Sequence, residues 1–168
     1  MHFEVVHEFD IPLDALELAV ISPNLFQQLS HRLSGIESVQ QKEHVLKDGC
    51  LERLWSYRAN VKIPAFATRY VTPEMCAWDE KSTYDIKRHS SEWTILPHVK
   101  PEWRKMFTAK GTYELKQLES GRTRRTVSGS LELRVPLVRQ VAEKLIVGEV
   151  KKTYDAEAET LRELATLV

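Results

Sequence analysis

The sequence predicts one α+β domain in which an antiparallel sheet of about seven strands curves around a long C-terminal helix. Three observations predict it. Alternation of apolar and polar residues with period two recurs along most of the chain before Pro136. Turn signals, not helices, join the later alternating stretches, which makes the sheet an antiparallel meander. After Pro136 no further proline occurs and apolar residues recur every three or four positions, so the chain ends in a helix.

In chain order, Phe3, Val5 and Phe9 alternate with Glu4 and Glu8 in a first strand that places His7 on its apolar side. Pro12–Ile21 reads as a helix on Leu13, Leu16 and Val20. Ser22 and Pro23 open a second helix, a serine cap followed by a proline whose missing amide hydrogen costs nothing in the first turn. Leu25, Phe26, Leu29 and Leu33 form its stripe, and Gly35 follows its end. Strands at Ile36–Lys47 and Leu51–Lys62 flank Asp48-Gly49, a hairpin turn in which glycine takes the positive φ. Trp55, Tyr57, Ala59 and Val61 share one face of the second of these strands.

Ile63-Pro64 ends that strand, and Ala65–Val71 is expected as a short helical turn ahead of Pro73. Further strands fall at Ala77–Arg88, at Glu92–Leu96 with Trp93 and Ile95 on one face, and at Trp103–Leu115. In the last of these Phe107, Ala109, Gly111 and Tyr113 share a face. Glu119-Ser120-Gly121 turns the chain into a final strand, where Val127, Gly129, Leu131, Leu133 and Val135 alternate with Ser128, Ser130, Glu132 and Arg134. Pro136 ends it and suits the start of the terminal helix.

That helix carries two apolar faces. At about 100° per residue, Val138, Val141, Ala142, Leu145 and Ile146 lie on one side. Val150, Tyr154, Ala158, Leu161, Ala165 and Val168 lie on a side turned by roughly 150°. The break falls at Val147–Gly148, which predicts a bend at a strained or close-packed glycine, or two halves with different burial partners. Lys151, Lys152, Asp155, Glu157 and Glu159 read as a solvated face.

With 24 basic and 24 acidic residues among 168, no net field is available to hold nucleic acid, and Arg122, Arg124 and Arg125 sit at a hairpin. MHFEVVHEFD lacks the basic start and long apolar core of a signal peptide, and no window is apolar enough for a membrane span. Cys50 and Cys76, far apart, are expected to stay reduced in a cytoplasmic setting. No repeat or linker divides the chain.

Two stretches carry a likeness. The opening FEVVHEFDIPLDALELAVISPNLFQQL, the GSLELRVPLV that leads into the terminal helix, and the element order resemble the START-like, polyketide-cyclase-like superfamily of helix-grip domains. Within it the strand–proline–helix ending is most similar to a bacterial group of unknown function. The resemblance covers nearly the whole chain and is architectural. It implies a cavity for a lipid, sterol-like, polyketide-like or similar apolar molecule.

The residues expected to line such a cavity are Trp55, Tyr57, Trp93, Phe107, Tyr113, Leu131 and Leu133 on strand faces, with Val141 and Leu145 of the terminal helix opposite. The same rings serve equally as plain core. Six scattered histidines show no metal-ligand spacing, so no metal is expected, and His7 reads as a hydrogen-bonded core histidine. No nucleophile elbow or phosphate loop occurs, and neither a catalytic residue nor a cofactor is expected. The function expected is binding or transport of a small hydrophobic molecule. One alternative is an aromatase/cyclase-type enzyme built from His7, Arg53, Tyr57 or Tyr113; the other is a protein-interaction module with a vestigial cavity. The oligomeric state is left open.

Overall fold

In the computed structural model, which describes residues 1–60, 65, 68, 72–135 and 139–167, every pair of neighbouring strands runs antiparallel. Strand β1 (His2–Phe9) is followed by α1 (Leu13–Ile21) and α2 (Asn24–Ser30). Then come β2 (Ile36–Lys47), β3 (Cys50–Ala59), β4 (Ala77–Asp85), β5 (Ser90–Pro97), β6 (Phe107–Gln117) and β7 (Thr123–Leu133), and the helix α3 (Arg139–Ala165) ends the order. The sheet order is β1-β7-β6-β5-β4-β3-β2. Strands β2 to β7 therefore form a meander, and β1 joins its far edge beside β7. Helices α1 and α2 carry the chain from that edge across to β2.

The turn chemistry works as read. Asp48 and Gly49, with φ of 52° and 81°, close the β2–β3 hairpin in the left-handed conformation that such turns require. Register shifts in β2 at Ile36/Ser38 and Gln41/Glu43 bend that edge strand, as bulges do. Proline 101 opens a 3-10 turn over Pro101–Met106, so the strand expected from Trp103 starts only at Phe107. Of the turn expected at Ala65–Val71 only Ala65 and Thr68 are described; Val61, Pro136, Leu137, Val138 and Val168 also lie outside the described residues.

Alternation puts Phe3, Val5, Phe9, Tyr113, Val127 and Leu131 on the concave face, where they pack with Leu16 and Val20 of α1 and Leu161 and Leu164 of α3. Buried Glu17 of α1 accepts a hydrogen bond from Tyr84 Oη at 2.6 Å and meets His89 Nδ1 at 2.8 Å, which ties α1 to the β4–β5 hairpin. Desolvation, with that carboxylate accepting its hydrogen, pushes the Tyr84 phenol far up.

The terminal helix corrects the two-face expectation. It runs unbroken through Gly148, and one inward stripe serves its whole length: Glu143, Val147, Val150, Tyr154, Ala158 and Leu161. Val141 and Leu145 are instead 55% and 62% exposed. The cause is the rigidity of the helix. Its second half is held by deep burial of Ala158, Leu161 and Leu164, and a straight continuation brings Glu143 inward and turns Val141 away. The Glu143 carboxylate is used there, accepting from Leu133 N at 3.0 Å and Arg139 Nε at 3.1 Å, and these bonds hold its pKa below the usual range.

Close packing belongs to other glycines. A Cβ on Gly111 would lie 2.0 Å from the Ser128 carbonyl oxygen, and one on its partner Gly129 would lie 2.6 Å from both Phe3 Cζ and Trp93 Cζ2. Nothing lies within 4 Å of a Cβ at Gly148. Gly148→Ala is therefore expected to raise stability by about 0.5–1 kcal/mol through helix propensity. Gly111→Ala, which forces backbone to move, should lower it by at least about 1–3 kcal/mol. Urea denaturation of both variants tests this, and a destabilised Gly148→Ala would restore the strained-glycine expectation.

Candidate functional site

The concave face holds two polar groups of opposite character. The first is an ion pair in which both terminal nitrogens of the arginine are bonded and only its buried Nε is not. Arg125 of β7 is 0% exposed, and its Nη1 donates to Glu157 Oε2 of α3 at 2.8 Å. Its Nη2 donates to the Tyr154 carbonyl at 2.7 Å and to His7 Nδ1 at 3.0 Å. The Arg125 Cζ lies 5.6–5.8 Å from the ring centroids of Phe9, Tyr113 and Tyr154. Because His7 Nδ1 accepts from Arg125, its hydrogen sits on Nε2, which donates to Asp155 Oδ1 at 2.8 Å. Burial, then the Arg125 charge, lower the His7 pKa against the opposing pull of Asp155. The Tyr113 hydroxyl lies beside the Arg125 guanidinium without a well-directed hydrogen bond, and burial pushes its phenol up.

The second group is incomplete. On β3, Arg53 and Trp55 point inward from alternate positions, and Trp55 pairs across the ladder with Glu80 of β4. The Arg53 Cζ stands 5.2 Å from the Trp55 ring centroid, and Arg53 Nη1 donates at 3.3 Å to the Val20 carbonyl in the last turn of α1, the negative end of that helix. No carboxylate pairs with Arg53 among the described residues, and its buried Nε makes no hydrogen bond. Trp55 Nε1, also buried, makes none either. The Glu80 carboxyl makes no hydrogen bond among the described residues. Desolvation raises its pKa to about 7, with Arg53 opposing and Glu157 reinforcing the shift. Glu80 is thus surrounded by protein and yet only half-buried by accessible surface.

Aromatic rings enclose this corner. Tyr57 stacks on Trp78 with centroids 5.3 Å apart, and Phe26 of α2 meets Trp55 edge-on at 5.3 Å. The close packing of α3 is concentrated on α1, α2, β1 and β7. Trp78, Glu80, Ile95, Phe107 and Leu133 on the concave side consequently stay half-buried, whereas Trp55, Tyr57, Trp93, Tyr113 and Leu131 are buried. Trp55 and Tyr57 flank Glu80, while Trp93 stacks on Phe3 at 6.1 Å over the glycine pair and fills space there. Val141 and Leu145 face away from all of them, which removes the helical wall expected from those two residues. Glu157, expected on a solvated face, is buried against Arg125. A shallow hollow of about 800 Å³ opens elsewhere, lined mainly by outward residues such as Glu4, Lys110 and Ser128, and it has no part in this corner. Among the described residues no cluster of His, Cys, Asp and Glu could hold a metal ion, and no helix is long and apolar enough to cross a membrane.

Glu80 and Arg125 escaped the sequence reading, although a signal existed for each. Extending the alternation of β7 back from Val127 puts Arg125 inward, and Trp78, Glu80, Ser82 and Tyr84 share a parity on β4.

The Glu80 shift gives a signed pH dependence. A carboxyl whose pKa rises from 4.5 to about 7 on folding supports the fold fully below 4.5, and that support is lost as the pH rises to about 7. His7 acts in the opposite sense: its depressed pKa leaves stability full above 6.5 and eroded as the pH falls below that value. Glu80→Gln is expected to be near neutral at pH 4.5 and to stabilise at pH 8, by no more than about 3 kcal/mol. Urea titrations at the two pH values check it; equal effects at both would show that Glu80 does not titrate with folding.

No curated protein matches the chain. Among solved structures, an aromatase/cyclase from a Streptomyces species aligns over 99% of this chain and 93% of its own, with a TM-score of 0.66 at 14% identity. A protein from Thermus thermophilus aligns over 99% and 98%, with a TM-score of 0.65 at 14% identity. Norcoclaurine synthase from Thalictrum flavum aligns over 95% and 84%, at 0.64 and 14% identity. At such identities the likeness concerns the fold, a helix grip, as the opening, the ending and the element order implied. The model of the family described as protein of unknown function (DUF2505) matches residues 4–164, nearly the whole length, and the chain belongs to that family.

Proposed function

We propose that the protein binds a small apolar molecule between the concave faces of β3–β5 and α3, and carries it without transforming it. The observation that supports this reading is the position of α3. Its packing on β1 and β7 leaves Trp78, Glu80 and Ile95 half-buried inside a ring of aromatic side chains, where a solid core would bury them. Aromatic walls with a few unpaired polar atoms are the makeup of a small-molecule site. The sequence expectation of Trp55, Tyr57 and Tyr113 as lining residues is retained in this reading, with Trp78, Glu80 and Ile95 added. The wall expected from Val141 and Leu145 is replaced by Tyr154 of the inward stripe.

An enzyme of the cyclase type is the second reading, favoured by one observation. A carboxyl held near neutrality inside an apolar enclosure is suited to proton transfer at pH 7. Carriage and catalysis share the same first requirement, that the space admits a ligand.

Ile95, the ladder partner of Glu80, offers the test. Ile95→Trp is expected to fill the space, leave the melting temperature within a few degrees of the parent, and abolish binding of a neutral pyrene ester followed by fluorescence. In a solid core the larger ring would cost about 1–3 kcal/mol. A parent protein that binds no neutral probe, with Ile95→Trp destabilised by that amount, would sink the binding reading.

A further inference from the structure

The corner formed by Arg53, Trp55 and Glu80 differs from the Arg125 group in having no ion pair among the described residues; Arg125 Nε and the Tyr113 hydroxyl are buried without a hydrogen bond too, but beside a guanidinium whose charge Glu157 meets. Arg125 is matched by Glu157, and Glu17 by Tyr84 and His89. Among the described residues Arg53 makes one long bond, to a carbonyl. Its Nε and the Trp55 Nε1 are buried donors with nothing to donate to among the described residues, and Trp55 is only 7% exposed. A buried donor left unmatched costs about 1–3 kcal/mol. Two on alternate positions of one strand face, beside a carboxyl with no hydrogen bond among the described residues, mark a place that an outside acceptor would complete.

We propose that this corner receives the carboxylate of an apolar carboxylic acid, with Arg53 as its counter-charge and the Trp55 indole N–H as a second donor.

The inference rests on the binding reading above and names the ligand class of that site. Charge arithmetic favours an anion. Arg125 and Glu157 cancel at 2.8 Å, so among the described residues the corner carries the Arg53 charge and whatever Glu80 carries. The groups facing Glu80 are Arg53 and Tyr57 on β3, and Tyr154 and Glu157 on α3. With Glu80 protonated, one positive charge is uncompensated and the carboxyl supplies a third donor. With Glu80 ionised, the corner is neutral and a second carboxylate there meets a like charge. A carboxylate, with two oxygens and about four lone-pair sites, uses all three donors, whereas an amine offers no acceptor to Trp55 and is opposed by Arg53. Aromatic neighbours Phe26, Tyr57 and Trp78 take the apolar body beyond it.

The experiment compares pyrenebutyric acid with its methyl ester on the whole chain, from pH 6 to pH 8.5, by fluorescence titration. The acid is expected to bind about tenfold or more tightly than the ester at pH 6.5, the advantage of a charge-assisted over a plain contact. That advantage should shrink by about tenfold towards pH 8.5 as Glu80 ionises. In Glu80→Gln the preference should persist to pH 8.5, because an amide still donates. In Arg53→Met the ratio of acid to ester affinity should collapse towards one. Trp55→Phe, which keeps a ring and removes the donor, should lower the ratio severalfold and stands in if Arg53→Met fails to fold, judged by its melting curve. Acid and ester binding equally to the parent would overturn the carboxylate assignment and leave the binding reading standing. Neither probe binding would overturn both. An acid preference that survives both Arg53→Met and Trp55→Phe would place the carboxylate elsewhere and overturn the assignment.

Discussion

The interaction on which the remainder depends is the buried pairing of Arg125 with Glu157. A guanidinium enclosed between β7 and α3 allows little freedom: Glu157, the Tyr154 carbonyl and His7 each take one of its donors, at 2.7 to 3.0 Å. Such a pair contributes little net stability against a well-packed apolar substitute, because both charges leave water, but losing one partner costs about 3–5 kcal/mol. Its value is positional. It fixes the rotation of α3 about its own axis, since a turn of one residue, about 100°, would carry Glu157 out of reach.

From that rotation the rest follows. With Glu157 held inward, Val147, Val150, Tyr154 and Leu161 lie along the same stripe, and Val141 and Leu145 face out. The helix settles over β1 and β7, the two strands that carry His7 and Arg125. Strands β3 to β5 lie farther along the curved sheet, and their inner faces are left to aromatic rings and to the corner of Arg53, Trp55 and Glu80. A helix rotated to bury Val141 and Leu145 would present a different wall to the same strands.

The sequence alone made legible whatever short-range chemistry decides. Asp48-Gly49 closed its hairpin, Ser22 and Pro23 led into α2, and Phe3, Val127, Leu131 and Tyr113 fell on the inward face that alternation assigned them. It misled where a charge is used as a core group. Glu157 scores as solvated on any hydropathy pattern, so the phase of α3 was inferred from Val141, Ala142 and Leu145, and a bend at Gly148 was needed to reconcile the halves. Arg125 hid in the same way, in a run with Arg122 and Arg124 at a hairpin. Both errors have one origin: a buried ion pair joins residues 32 apart in sequence, and no local pattern reports it. Glu80 was missed for a related reason, since its parity with Trp78 and Tyr84 was readable but its burial beside Arg53 belongs to the folded chain.

The two polar groups differ in how far the protein itself pairs their charges. Both lie on the concave face, both involve an arginine against aromatic rings, and each has a glutamate nearby. At Arg125 the protein supplies bonding partners for both terminal nitrogens, so binding anything there would require breaking bonds already made. At Arg53 the donors outnumber the acceptors among the described residues, and burial raises the pKa of the neighbouring Glu80 carboxyl to about 7. A fold selected only for stability has no reason to keep that second arrangement, because apolar residues at positions 53 and 80 would remove its cost. On the binding reading proposed above, the unmet donors at Arg53 and Trp55 are the ones a ligand would complete, whereas the Arg125–Glu157 pair sets how α3 sits on the sheet.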